Sequence, residues 1–112
     1  MSAITTHVLD ISRGVPAAGV PVVLESLGPE GWRRLGAGET DGDGRLRTLL
    51  PAGQPAEMGM YRLTFDTGAY FRAVGSEGVY PEVAVTFSVR DERHHHVPLL
   101  LSPYGYSTYR GS

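Results

Sequence analysis

Apolar and polar residues alternate with a period of two along most of this chain, and glycine and proline cut the alternation into short runs. The clearest run is EVAVTFSVR, in which Val83, Val85, Phe87 and Val89 share one face while Thr86, Ser88 and Arg90 share the other. A period of two marks a strand with one buried and one wet face. The same reading predicts strands near 4–10, 20–27, 31–39, 44–50, 59–67, 82–90, 95–102 and 104–110. Turns fall at RGVPAAG, GPEG, DGDG, PAGQPAEMG and SPYG, where glycine, proline and aspartate supply turn geometry. TGAYFRAVG alone reads as a helical turn or two. Eight short strands predict an all-β fold in two packed sheets.

With 112 residues, 15 of them glycine and 8 proline, the chain is expected to form one domain over residues 1–112. Such a chain removes roughly two-thirds of its extended surface from water on folding. The formal net charge is −2, so no basic footprint for a phosphate backbone exists and nucleic acid is not expected as a partner. All 10 basic residues are arginine, which excludes P-loop and Schiff-base lysine chemistry. There is no cysteine, which excludes disulfides, thiolate metal sites and a thiol nucleophile. MSAITTHVLD lacks a charged n-region, and no apolar run is long enough to span a bilayer, so a cytoplasmic protein without a membrane partner is expected.

Three stretches invite a chemical reading and fall short of it. In ETDGDGR, Glu39, Asp41, Asp43 and Gly44 follow the opening of a calcium loop, but Leu50 stands where the bidentate glutamate belongs, and a hairpin turn accounts for the same letters. GYSTY around Ser107 lacks the second glycine of a nucleophile elbow. The run His94, His95, His96 supplies too few ligands on one face for a structural or catalytic zinc, so no metal and no cofactor are expected. His94 and His95 read as a solvated pair at a strand entrance.

Counting by twos separates His96 from its neighbours. His96, Pro98 and Leu100 form one face of their strand, and Val97, Leu99 and Leu101 form the better core face. In the first strand Ile4, Thr6 and Val8 oppose Thr5, His7 and Leu9. Each of these strands therefore sets a histidine on the face that the core does not need.

THVLD, DGDGRL, YRLTFDTGAYF, YPEVAVTF and HVPLLLSPYGYSTYRGS resemble the 5-hydroxyisourate hydrolases, the transthyretin-related enzymes of purine breakdown. The resemblance spans nearly the whole chain, and its closing YRGS tetrapeptide is the specific part, since hormone-carrying transthyretins lack it. It implies a transthyretin-like sandwich of two four-stranded antiparallel sheets with one short helix. It also implies a homotetramer with active sites in a channel at the dimer–dimer interface. The motif match carries catalytic roles to His7, Arg45 and His96, and substrate contacts to Ser107, Thr108, Tyr109, Arg110, Gly111 and Ser112. The implied reaction is hydrolysis of 5-hydroxyisourate to 2-oxo-4-hydroxy-4-carboxy-5-ureidoimidazoline in urate degradation, with activated water and no cofactor. A transthyretin-like carrier that binds a small ligand without turnover is the alternative. The polar set His7, Arg45 and His96 argues against it, because a hydrophobic carrier does not need them.

Overall fold

A computed structural model describes residues 2–111 of the chain. Nine strands and one helix follow in the order β1 (Ile4–Asp10), β2 (Val15–Pro16), β3 (Pro21–Gly28), β4 (Gly31–Glu39), β5 (Arg45–Leu46), β6 (Gly59–Phe65), α1 (Thr67–Ala73), β7 (Val83–Val89), β8 (His95–Ser102) and β9 (Gly105–Thr108). One sheet has the order β2-β1-β8-β9 with β5 also paired to β1, and the other has the order β4-β3-β6-β7. The expected two-sheet sandwich with one short helix is therefore present, with the first sheet enlarged from four strands to five by the two-residue strand β2. Pairing is antiparallel except between β1 and β8, which run parallel. That exception corrects the expectation of antiparallel sheets throughout.

The core lies between the sheets. Val8, Leu99 and Leu101 meet Leu24, Leu63 and Phe65 there, all six inaccessible to solvent, and burying each such side chain contributes roughly 1.5–3 kcal/mol. Strand β7 keeps its predicted faces: Val83, Val85 and Val89 are buried, and Ala84 and Thr86 exposed. The helix starts where the Asp66 side chain accepts a hydrogen bond from the Ala69 N–H at 3.0 Å. It buries Tyr70 and Phe71 and is followed by Gly75 in the left-handed region at φ 73°.

The predicted strand 44–50 shortens to Arg45–Leu46. Leu49 and Leu50 turn into the core instead of continuing the ladder, and the Leu49 carbonyl lies so close over Gly36 that a Cβ there would overlap it. The buried Ser2 hydroxyl accepts from the Leu50 N–H at 3.0 Å and the Ser2 N–H donates to the Arg47 carbonyl at 3.1 Å, so the departing segment keeps backbone partners on either side of Leu49. Among the described residues no helix is long and apolar enough to cross a membrane.

Candidate active site

The parallel β1–β8 pair sets the geometry. Thr5 lies level with His96 and His7 with Pro98. On the far side of β1, β5 brings Arg45 opposite His7. On the far side of β8, Gly111 bridges to His96, its N–H donating to the His96 carbonyl at 2.7 Å. Two adjacent rows result on the outer face of one sheet, Arg45–His7–Pro98 and Thr5–His96–Gly111. The predicted His7, Arg45 and His96 are thus brought onto one face, together with Gly111. A Cβ on Gly111 would stand 2.6 Å from Cδ2 of His96, so only glycine lets the closing segment lie against the imidazole.

The DGDG turn delivers Arg45. Asp41 Oδ1 accepts from the N–H groups of Asp43 (2.9 Å) and Arg45 (3.0 Å). The Arg45 N–H foremost, with that of Asp43 and the charges of Arg47 and Arg45, holds the Asp41 carboxyl below its ordinary value in spite of some desolvation. Gly44, at φ 77°, packs directly on the Val8 carbonyl, where no side chain fits. The aspartates that imitate a calcium loop are therefore turn residues. The turn also aims the Asp43 carbonyl at Nε2 of His7, 2.8 Å away. A carbonyl only accepts, so His7 donates from Nε2 and in its neutral form keeps the lone pair on Nδ1.

His96 is half-buried. Burial foremost, and then the charges of Arg45, His94, His7 and Arg47, push its pKa below the ordinary 6.5. Nδ1 of His96 lies 2.8 Å from Thr5 Oγ1, and Nε2 of His94 lies 2.8 Å from the same oxygen.

The expected solvated pair His94 and His95 does not form. His95 is 3% exposed on the core side with Val97 and Leu99. Its Nδ1 donates to the Arg93 carbonyl at 2.7 Å, and its Nε2 stands 4.0 Å from Asp91 Oδ1. The bend over residues 91–93 folds back on His95 and covers it. His94 is exposed but tied to Thr5. Alternation placed Thr5 beside His7 on the outer face, and that was the one signal for it; its neighbours on β8 are not readable from sequence.

The closing residues divide by face. Ser107 lies opposite Leu100, on the His96 face. Thr108 lies opposite Leu99 and donates to the Pro98 carbonyl at 2.7 Å. Arg110 reaches Asp91 and the His94 carbonyl, each at 3.5 Å, which fastens the segment beside the histidines. Tyr109 is exposed. Ser112 lies outside the described residues.

The HIUase/Transthyretin family model matches residues 4–111. A 5-hydroxyisourate hydrolase of Salmonella dublin is 48% identical over 110 residues, covering 97% of this chain and 80% of that protein. The structure of Klebsiella pneumoniae 5-hydroxyisourate hydrolase superposes with a TM-score of 0.86 at 42% identity, over 100% of this chain and 94% of that one. Sea bream transthyretin in complex with thyroxine superposes with a TM-score of 0.90 at 32% identity, over 97% of this chain and 94% of that one.

Proposed function

The chain belongs to the HIUase/transthyretin family, and we propose that it works there as a hydrolase: water opens the six-membered ring of 5-hydroxyisourate at the amide bond between N1 and C6. The product is 2-oxo-4-hydroxy-4-carboxy-5-ureidoimidazoline, and the step belongs to urate degradation. Backbone superposition does not separate hydrolase from carrier, because the thyroxine-bound transthyretin fits as well as the Klebsiella enzyme. The observation that carries the hydrolase reading is the paired rows of Arg45 with His7 and Thr5 with His96 on one sheet face.

Amide hydrolysis needs a base for water, a partner for the oxyanion and a proton for the leaving nitrogen. His7 and His96 are the acid/base pair. Arg45, planar and always charged, orients the substrate and stabilises the developing negative charge. Ser107, Tyr109 and Gly111 line the substrate's edge, Thr108 and Arg110 hold the closing segment in position through the bonds described above, and the family resemblance adds Ser112 as a further substrate contact. The whole chain acts as one catalytic domain without a metal or cofactor.

In this reading the protein works as a homotetramer with its sites between two dimers. Support comes from the outer positions of β7 and β9, each with one edge unpaired among the described residues. Exposed Tyr104, Tyr106 and Tyr109 around β9 add to it. Light scattering of the purified protein tests the assembly. The cytoplasm is the compartment we propose, and cell fractionation tests it.

The activity test is to add the protein to urate and urate oxidase and follow the transient ultraviolet absorbance of 5-hydroxyisourate. Faster loss than the spontaneous decay is expected. An unchanged decay, with saturable thyroxine binding, would leave the carrier.

A further inference from the structure

Thr5 is 2% exposed, yet its hydroxyl lies between two imidazoles, 2.8 Å from Nδ1 of His96 and 2.8 Å from Nε2 of His94. The rings face one another across it with centroids 6.2 Å apart. One hydroxyl has a single proton to give, so between two neutral rings it donates to one and accepts from the other. The two tautomers are therefore locked in opposite senses. Either Thr5 donates to His96 Nδ1, leaving the His96 proton on Nε2, or His96 donates from Nδ1 and presents a bare Nε2.

We infer that Thr5 is a positioning residue that passes protons between His96 and His94, so that His96 exchanges a proton with the reacting water or leaving nitrogen without holding the charge itself. The inference rests on the hydrolase reading above. In the base direction, a water proton moves to His96 Nε2, the His96 Nδ1 proton moves to Thr5 Oγ1, and the Thr5 proton moves to His94 Nε2. Water becomes the attacking hydroxide, His96 remains neutral in its other tautomer, and His94 becomes imidazolium. Running the three transfers backwards gives the leaving nitrogen its proton and restores His94.

The surroundings favour this route. His96 faces Thr5 and His7 from β1, Arg45 and Arg47 from β5 and the chain after it, His94 before its own strand, and the Gly111 backbone. Among the described residues, none of these groups is a carboxylate, and the charged groups that act on His96 are the cations Arg45 and Arg47 and the other histidines. His94 is exposed where His96 is half-buried, and a charge in contact with water escapes the desolvation cost of a buried one.

Thr5→Val keeps shape and strand propensity while removing the hydroxyl. It should lower kcat by ~10-fold or more with KM and melting temperature nearly unchanged, a fraction of what a positioned acid or base supplies. Thr5→Ser should restore kcat to within about threefold, because the hydroxyl returns. His94→Ala should match Thr5→Val, and the double variant should be no worse than either, as expected of residues acting in one chain. Full activity in Thr5→Val, equal losses in Thr5→Val and Thr5→Ser, or additive losses in the double variant would each overturn the relay. Imidazole ¹⁵N shifts test it without turnover: His94→Ala should shift the His96 tautomer balance when Thr5 is present and not in the Thr5→Val background. Should the unaltered protein fail to hydrolyse 5-hydroxyisourate, the activity reading falls, and the ¹⁵N coupling still decides whether Thr5 links the two rings.

Discussion

The imidazole of His7 is held by the chain rather than by another side chain: its Nε2 donates to the Asp43 carbonyl at 2.8 Å. This bond sets the tautomer that His7 offers the substrate. His7→Ala and His96→Ala should each lower turnover by about 10²–10⁴ if each moves a proton in the transition state. His7→Gln separates the roles of the ring, since an amide can keep the bond to Asp43 but cannot titrate. It should lose as much activity as His7→Ala. Recovery of most of the turnover in His7→Gln would mean that His7 only shapes the site.

Gly111 leads to a second forecast. A methyl group there meets the His96 ring, whereas the backbone bond from Gly111 to the His96 carbonyl survives the substitution. Gly111→Ala should therefore reduce kcat with little change in melting temperature, because neither residue belongs to the core. Steady-state kinetics beside a thermal melt would check this, and unaltered kcat would show that His96 is free to move aside.

A third prediction concerns stability. The buried Asp10 carboxylate accepts from Tyr70 Oη at 2.7 Å, Ser12 Oγ at 2.6 Å and the N–H groups of Ser12 and Arg13. Burial pushes its pKa up, but these bonds outweigh it and hold the carboxyl below 3.8. A carboxyl lowered in the folded state stabilises above its unfolded pKa, and the contribution fades as pH falls through the folded value. Tyr70→Phe should cost about 1–3 kcal/mol at neutral pH. The gap from the unaltered protein should narrow below pH ~4, as urea melts at both pH values would reveal.

The fourth uses titration. Burial, Arg45 and its neighbours lower the His96 pKa, so its NMR midpoint should fall below 6.5. Arg45→Gln removes the neighbouring charge that acts most strongly on His96 and should raise that midpoint. The unfolded chain takes up this proton near 6.5 and the folded chain only at lower pH, so this group makes stability decline from about pH 6.5 downward through the folded midpoint. A midpoint unmoved by Arg45→Gln would mean that burial alone sets it.

Period-two alternation was enough to read β7, β1 and β8 and to find that His7 and His96 leave the core face. The family resemblance, not the pattern, joined them to Arg45. Alternation reports which face a residue takes and not which strand lies beside it. Hence the parallel match of Thr5 to His96 was invisible, as was the Asp91 bend that covers His95. The stretch 44–50 failed for a different reason: RLRTLL alternates acceptably, but Leu49 and Leu50 reach the core by leaving the sheet, across a glycine that makes room only in three dimensions.

The parallel pairing of β1 with β8 also sets when the site comes into being. Thr5 and His96 stand 91 positions apart along the chain, and contacts of that span close late because the intervening loop must be ordered first. During synthesis β1 leaves the ribosome long before its partner, with Ile4 and Val8 waiting for a neighbour and one strand edge open. That interval is where a folding helper or a misplaced strand from another chain would act. Slowed release of the last quarter of the chain should therefore show up as aggregation before it shows up as lost catalysis.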